Sequence, residues 1–216
     1  MIDHLAPKLI FLQEIWLPYS EEAAINRKFP DYTVQISTPD QFTHPEDPLG
    51  HPSHTWHGAA ILWHETLDHN VTTINNVHER FTAVKVATEE QTILVISAYM
   101  PTSGKDNEYT DCLGELAIFI DDNSETGTTI LIGMDSNCSD NSTKRRSSNL
   151  NQFCEDHDLV KIMAPVPTFH HTNAMVFIPL TSTTSSYPSP AQSPSVKSPC
   201  SAHKITLRTY LVTTLL

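Results

Sequence analysis

Cations, paired cysteines and long apolar runs are all scarce in this chain, and each scarcity removes a class of protein. Only 13 Lys and Arg stand against 25 Asp and Glu, giving a formal net charge of −12 over 216 residues. Overall charge therefore cannot hold nucleic acid, and any such contact has to be local. The four cysteines, Cys112, Cys138, Cys154 and Cys200, are scattered without a C-x-x-C pair. Neither a disulfide framework nor a thiolate zinc knuckle is indicated, and a reducing compartment fits. No apolar run approaches the ~18 residues of a membrane span. Asp3 and His4 stand at the start, where a secretory leader would carry basic and then apolar residues. The expectation is a soluble, intracellular chain, nuclear or cytoplasmic, with no membrane partner. With 39% hydrophobic and 18% charged residues, a collagen-like or wholly disordered chain is excluded and one packed domain can be built.

What is present is a series of short apolar runs rich in β-branched residues, at 9–12, 59–63, 81–86, 93–99 and 130–133. They are too short for helices and read as strands, and their near-continuous hydrophobicity predicts burial on both faces. Between the last two, Leu113, Leu116, Ala117 and Ile120 recur at i, i+3, i+4 and i+7, the spacing of one buried helical stripe. A second helix is expected over 149–157. Strands interleaved with a few helices argue for a layered α/β or α+β domain.

Prolines 39, 45, 48 and 52 with Gly50 predict a long loop from 39 to 57, because proline removes a backbone donor and restricts its predecessor. After Asn173 the composition shifts. Residues 181–201 are mostly Ser, Thr and Pro, too poor in apolar area to offset ordering entropy. The expected organisation is a domain over 1–173 and a disordered tail over 174–216, whose apolar end from Leu211 has no partner element in view.

Three strand ends carry groups suited to chemistry. Glu14 follows the first strand, Tyr99 closes the run that Pro101 terminates, and Asp135 and Asn137 stand two apart beyond the run 130–133. Each has a plain structural reading as well: a surface acid, a rim tyrosine of the core, an Asx turn. Together they offer hard oxygen donors and hydrogen-bonding groups where strands open to solvent. Such a set suits magnesium, which keeps several waters for a phosphate substrate, and hence phosphodiester hydrolysis.

At these residues the chain resembles the endonuclease/exonuclease/phosphatase superfamily, and within it the apurinic-endonuclease-like domain of LINE-type (non-LTR) retrotransposons. Gln13-Glu14-Ile15-Trp16 is similar to the family's Q-E-x-W string, Gly58-Ala59-Ala60-Ile61-Leu62 to G-x-A-I-L, and Tyr99-Met100-Pro101 to Y-x-P. Gly133-Met134-Asp135-Ser136-Asn137 resembles G-D-x-N with Met for the first Asp, and Pro167-Thr168-Phe169-His170-His171 resembles the late P-T-F segment. Five motifs occur in the right order over residues 8 to 173. The resemblance implies an α+β fold, a two-layer β-sandwich flanked by helices, with the site at one end of the sheets. It also implies that Glu14 holds magnesium, Asp135 orients or deprotonates the attacking water, Asn137 and Tyr99 bind the scissile phosphate, and Thr168 lines the substrate groove. The implied partner is DNA, through its phosphate backbone, and a monomer is expected.

The family pattern also contains a first strand ending in Asn and, late in the chain, an I-D-Y-I or I-D-H-I strand followed by S-D-H, whose His binds the phosphate. The first strand is not found, and neither late string occurs after Asn173, so the domain is expected to be truncated at both ends. Residues 180–186 can nevertheless be encoded CTC ACA TCG ACT ACA TCC TCA, and skipping two bases gives His-Ile-Asp-Tyr-Ile-Leu. Residues 210–216 can be encoded TAC CTA GTG ACC ACA CTC CTN, and the same skip gives Pro-Ser-Asp-His-Thr-Pro. The expectation is a frameshift near Asn173 and impaired cleavage.

Two further signals are weighed. His51, His54 and His57 beside His44 have a spacing that could hold zinc, but the prolines deny them a helix face and a solvated loop is the expectation. Lys144, Arg145 and Arg146 could touch a DNA backbone, though a solvated charge run is expected. Three functional readings follow: a magnesium-dependent DNA endonuclease domain, a non-catalytic remnant, and a phosphatase of a small phosphoester, which the acidic charge favours slightly.

Overall fold

Successive residues of a strand face opposite ways, and in the centre of this molecule both ways lead to apolar partners. A computed structural model describes residues 7–15, 22–37, 58–75, 78–102, 104–138, 145–163, 174–179 and 209–213. In chain order the elements are β1 (Leu9–Ile15), α1 (Glu22–Lys28), β2 (Tyr32–Ser37) and β3 (Gly58–His64), then a 3-10 helix (Glu65–Asn70) and β4 (Val71–Ile74). There follow β5 (Phe81–Ala87), β6 (Thr92–Tyr99), α2 (Asp106–Asn123), β7 (Thr129–Asp135), α3 (Arg145–Asp156), β8 (Leu159–Met163), β9 (Ala174–Pro179) and β10 (Thr209–Thr213).

They form a four-stranded sheet in the order β10-β1-β3-β2 and a six-stranded sheet in the order β4-β5-β6-β7-β9-β8. Among the described residues the pairings are antiparallel except β6 with β7, which requires a crossover, and α2 supplies it. Leu9 and Phe11 of β1 and Ile61 and Trp63 of β3 meet Val84, Val86, Val95 and Leu131 between the sheets. The alternate residues Ile10, Leu12, Ala60 and Leu62 face outward and pack with Ile25 of α1. Leu94, Ile96 and Ile132 on the outer face of the second sheet pack with Leu113, Leu116 and Ile120 of α2 and Leu150 and Phe153 of α3. The result is a β-sandwich flanked by helices, the α+β architecture that the five motifs imply.

All five expected strands are present, as β1, β3, β5, β6 and β7. The helical stripe lies on α2 with Ala117 only partly buried, and α3 begins at Arg145, earlier than the periodicity suggests. Two further strands fall within the stretch read as a tail. β9 lies between β7 and β8, and β10 pairs with the outer edge of β1, setting Leu211 opposite Phe11. The proline-rich loop at 39–57 and the segment 181–201 lie outside the described residues. Among the described residues no helix is long and apolar enough to cross a membrane.

Candidate active site

The row of side chains between the sheets stops being apolar near one end of the sandwich. Parallel pairing sets Ser97 of β6 opposite Gly133 of β7, and Tyr99 opposite Asp135. Beneath the end, the buried Gln13 Nε2 of β1 donates to Ser97 Oγ at 3.0 Å and to the Gly133 carbonyl at 3.2 Å. Ser97 Oγ in turn donates to the Leu12 carbonyl at 3.1 Å. These bonds tie one sheet to the other. The approach is close because position 133 has no side chain: a Cβ there would stand 2.4 Å from Phe11 Cγ and 2.8 Å from Phe11 Cβ, well inside van der Waals contact.

Strict alternation would send Glu14 to the outer face with Leu12. Instead the β1–β3 register shifts between Gln13 and Ile15, Ile15 takes the outer-face position, and Glu14 becomes the inserted residue of a bulge with φ 52°. Bulges re-aim a side chain at the cost of an uncommon backbone conformation. Here the carboxylate is aimed across the sandwich, where Glu14 Oε1 accepts from the Tyr99 hydroxyl at 2.7 Å. Burial, and next the bond to Glu14, push the Tyr99 phenol far above its ordinary range, while a hydrogen bond from the Asn137 side chain works the other way. The hydroxyl therefore stays protonated and acts as a donor.

Asp135 is 3% exposed. Its carboxyl is pushed up to about 6, by burial above all and further by the charge of Glu14, against the Asn137 backbone N–H. That N–H donates to Asp135 Oδ1 at 3.2 Å. Asn137, at φ 45°, donates from Nδ2 to the Met100 carbonyl at 2.7 Å. A carboxyl titrating near neutrality can both accept and release a proton at working pH. Glu14, Tyr99, Asp135 and Asn137 are thus gathered at one end of the sandwich, from the ends of three strands.

The donors are hard oxygens, a set that fits magnesium, since that ion needs one or two carboxylates and keeps water for a phosphate. Among the described residues no three His, Cys, Asp or Glu side chains form a ready cage for a cation. Thr168, Lys144 and His44, His51, His54 and His57 lie outside the described residues. Arg146 departs from expectation. Instead of a solvated cation it is 8% exposed, bonded to the Pro101 and Thr102 carbonyls. Its signal was in the sequence: Arg146, Leu150, Phe153 and Cys154 share the i, i+4, i+7, i+8 stripe that α3 buries. Ser97 escaped sequence reasoning as a single polar residue within an apolar run, and Gln13 was read only as the first residue of the Q-E-x-W string, with no role in joining the sheets.

No family model matches the sequence, and no curated protein does. Solved structures match the fold. The endonuclease domain of TRAS1, a telomere-specific non-LTR retrotransposon, superposes with a TM-score of 0.50 at 14% identity, covering 74% of this chain and 78% of that one. The 3′ phosphatase NExo from Neisseria, bound to product DNA hairpin, gives 0.52 at 11% identity, covering 81% and 77%. An endonuclease/exonuclease/phosphatase family protein from Leptotrichia buccalis gives 0.51 at 13%, covering 79% and 75%. The chain has the endonuclease/exonuclease/phosphatase fold, as its motifs led one to expect.

Proposed function

We propose that this chain is a magnesium-dependent phosphodiester hydrolase of the retrotransposon endonuclease kind, acting on DNA, and that its cleavage is weakened in this sequence. The observation that carries the reading is the 2.7 Å contact between Tyr99 and Glu14 across the two sheets, beside the buried carboxyl of Asp135. The fold shared with the TRAS1 endonuclease domain and with the DNA-bound NExo phosphatase supports it.

In this reading Glu14 holds the ion, which when bound supplies positive charge to the phosphoryl oxygens. Asp135 orients a water for attack on phosphorus and takes its proton as the P–O bond to the leaving oxygen breaks. Tyr99 and Asn137 donate to the non-bridging oxygens, where charge accumulates. Thr168 lines the groove for the strand. The weakening follows from the sequence after Asn173, which offers no I-D-Y-I or S-D-H string; β9 and β10 contain neither acid nor histidine. Losing one member of a cooperating set costs on the order of 10⁴ to 10⁶ in rate. A two-base frameshift near Asn173 explains the loss, with 1–173 as the unshifted part of the domain and 174–216 as its shifted continuation.

Supercoiled plasmid and magnesium test this directly. The chain is expected to nick little or not at all, while magnesium raises its unfolding temperature and Glu14→Gln abolishes that rise. Absence of any magnesium-dependent rise would sink the metal role. Ready nicking that Glu14→Ala removes would refute the weakening and leave the endonuclease reading intact. The phosphatase alternative, favoured by the net charge of −12, predicts instead hydrolysis of p-nitrophenyl phosphate that Asp135→Asn abolishes.

A further inference from the structure

We infer that Arg146 is a positioning residue for this site, acting through the segment that follows Tyr99. The inference rests on the proposed hydrolase reading for its significance. Three consecutive carbonyls after β6 are held by side-chain donors: Met100 by Asn137 Nδ2 at 2.7 Å, Pro101 by an Arg146 terminal nitrogen at 2.9 Å and Thr102 by the other at 2.7 Å. Arg146 Nε donates to Asp106 Oδ1 at 2.5 Å, in the first turn of α2. Its guanidinium carbon lies 4.8 Å from the centre of the Tyr109 ring.

One buried cation thus joins the exit of β6, the start of α2 and the start of α3. Pro101 has no N–H of its own to anchor the turn, so the carbonyl side carries the attachment. A planar guanidinium can serve two carbonyls and a carboxylate at once, which an ammonium on a single stem cannot do in the same geometry. Tyr99 lies two residues before the first carbonyl that Arg146 holds, and the next residue, Met100, is bonded both to Asn137 and, through its N–H, to the Asp135 carbonyl at 2.9 Å. Releasing the clamp frees this segment to drift, and with it the Tyr99 hydroxyl that meets Glu14.

A purely structural arginine would lower stability and leave the Tyr99–Glu14 contact as it is, so the contact itself is the readout. Full-length protein carrying ¹³C at tyrosine Cζ reports each phenol's hydrogen bonding at neutral pH. Tyr99→Phe identifies the resonance, and Glu14→Gln marks where it lies once the charged acceptor is lost. Arg146→Ala is expected to move the Tyr99 signal most of the way to that marked position, Arg146→Lys less far, and millimolar guanidinium to return the Ala variant toward the parent. An unmoved Tyr99 signal in folded Arg146→Ala overturns the inference. Should that variant fail to fold, Asp106→Asn decides: a smaller shift in the same direction supports the clamp, and none refutes it. No step of this test requires hydrolysis, so an inactive chain and a failed clamp give different results.

Discussion

Along β1, β6 and β7 the space between the sheets holds Leu9, Phe11, Val95 and Leu131. Two residues further along each strand it holds Gln13, Ser97 and Gly133, and then Tyr99 and Asp135. The strands, their pairing and their alternation are the same throughout. What changes is the means of holding the sheets together, from burial of apolar area to a few buried hydrogen bonds and one missing side chain. Apolar packing tolerates small shifts, whereas hydrogen bonds weaken steeply outside a narrow range of distance and angle. The polar rows therefore fix the separation of Glu14 from Tyr99 more tightly than the apolar rows could, and they carry a higher cost when a partner is lost.

That contrast can be broken from either side. The largest effect is expected from Phe11→Ala, which empties the apolar row where it meets the polar one and should cost about 3–5 kcal/mol in urea unfolding. Gly133→Ala in the parent collides with the Phe11 ring and should cost about 1–3 kcal/mol, but markedly less in the Phe11→Ala background. A double-mutant cycle reads that coupling.

Next comes Asp135. Its carboxyl titrates near 6 in the folded chain against a reference of 3.8, so between about pH 4 and pH 6 the native state binds more protons than the unfolded state. The contribution of this group to stability should be highest below about pH 4, fall as pH rises to about 6, and then level off. Asp135→Asn should remove that fall and exceed the parent by up to about 3 kcal/mol above pH 6, measured by denaturant unfolding with a chelator present. An unchanged pH profile would show the carboxyl to be better solvated than its burial indicates. The smallest effect is expected from Ser97→Ala, which takes a donor from the Leu12 carbonyl but leaves Gln13 its bond to the Gly133 carbonyl, and should cost about 0.5–1.5 kcal/mol. The measurement that sharpens the comparison is whether this substitution disturbs the Tyr99 phenol more than Phe11→Ala does.

The central strands were legible because burial on both faces leaves a continuous apolar run in sequence. β2 lacks such a continuous run, and its signal was instead the alternation of Tyr32, Val34 and Ile36 with Thr33, Gln35 and Ser37, while β4 lies at the sheet edge with its side chains half-buried or exposed. Short and polar, α1 offered too little stripe to read. Glu14, Tyr99, Asp135 and Asn137 were legible as strand-end residues within motifs, but the bulge that turns Glu14 inward was not, because nothing in Gln13-Glu14-Ile15 marks which residue is the extra one. Arg146 was misread for a different reason. Its neighbours Lys144 and Arg145 suggested a charged surface, and only the helical stripe it shares with Leu150 shows that one of the three cations turns inward.

The pairing of β1 with β10 joins Leu9 to Thr213, two positions far apart along the polypeptide. A chain emerging from the ribosome therefore exposes one edge of β1 until about 200 further residues have been made, and closing so long a loop is slow. During synthesis that bare strand is open to pairing with a neighbouring nascent chain. Among the described residues, it is β10 that closes this edge of β1.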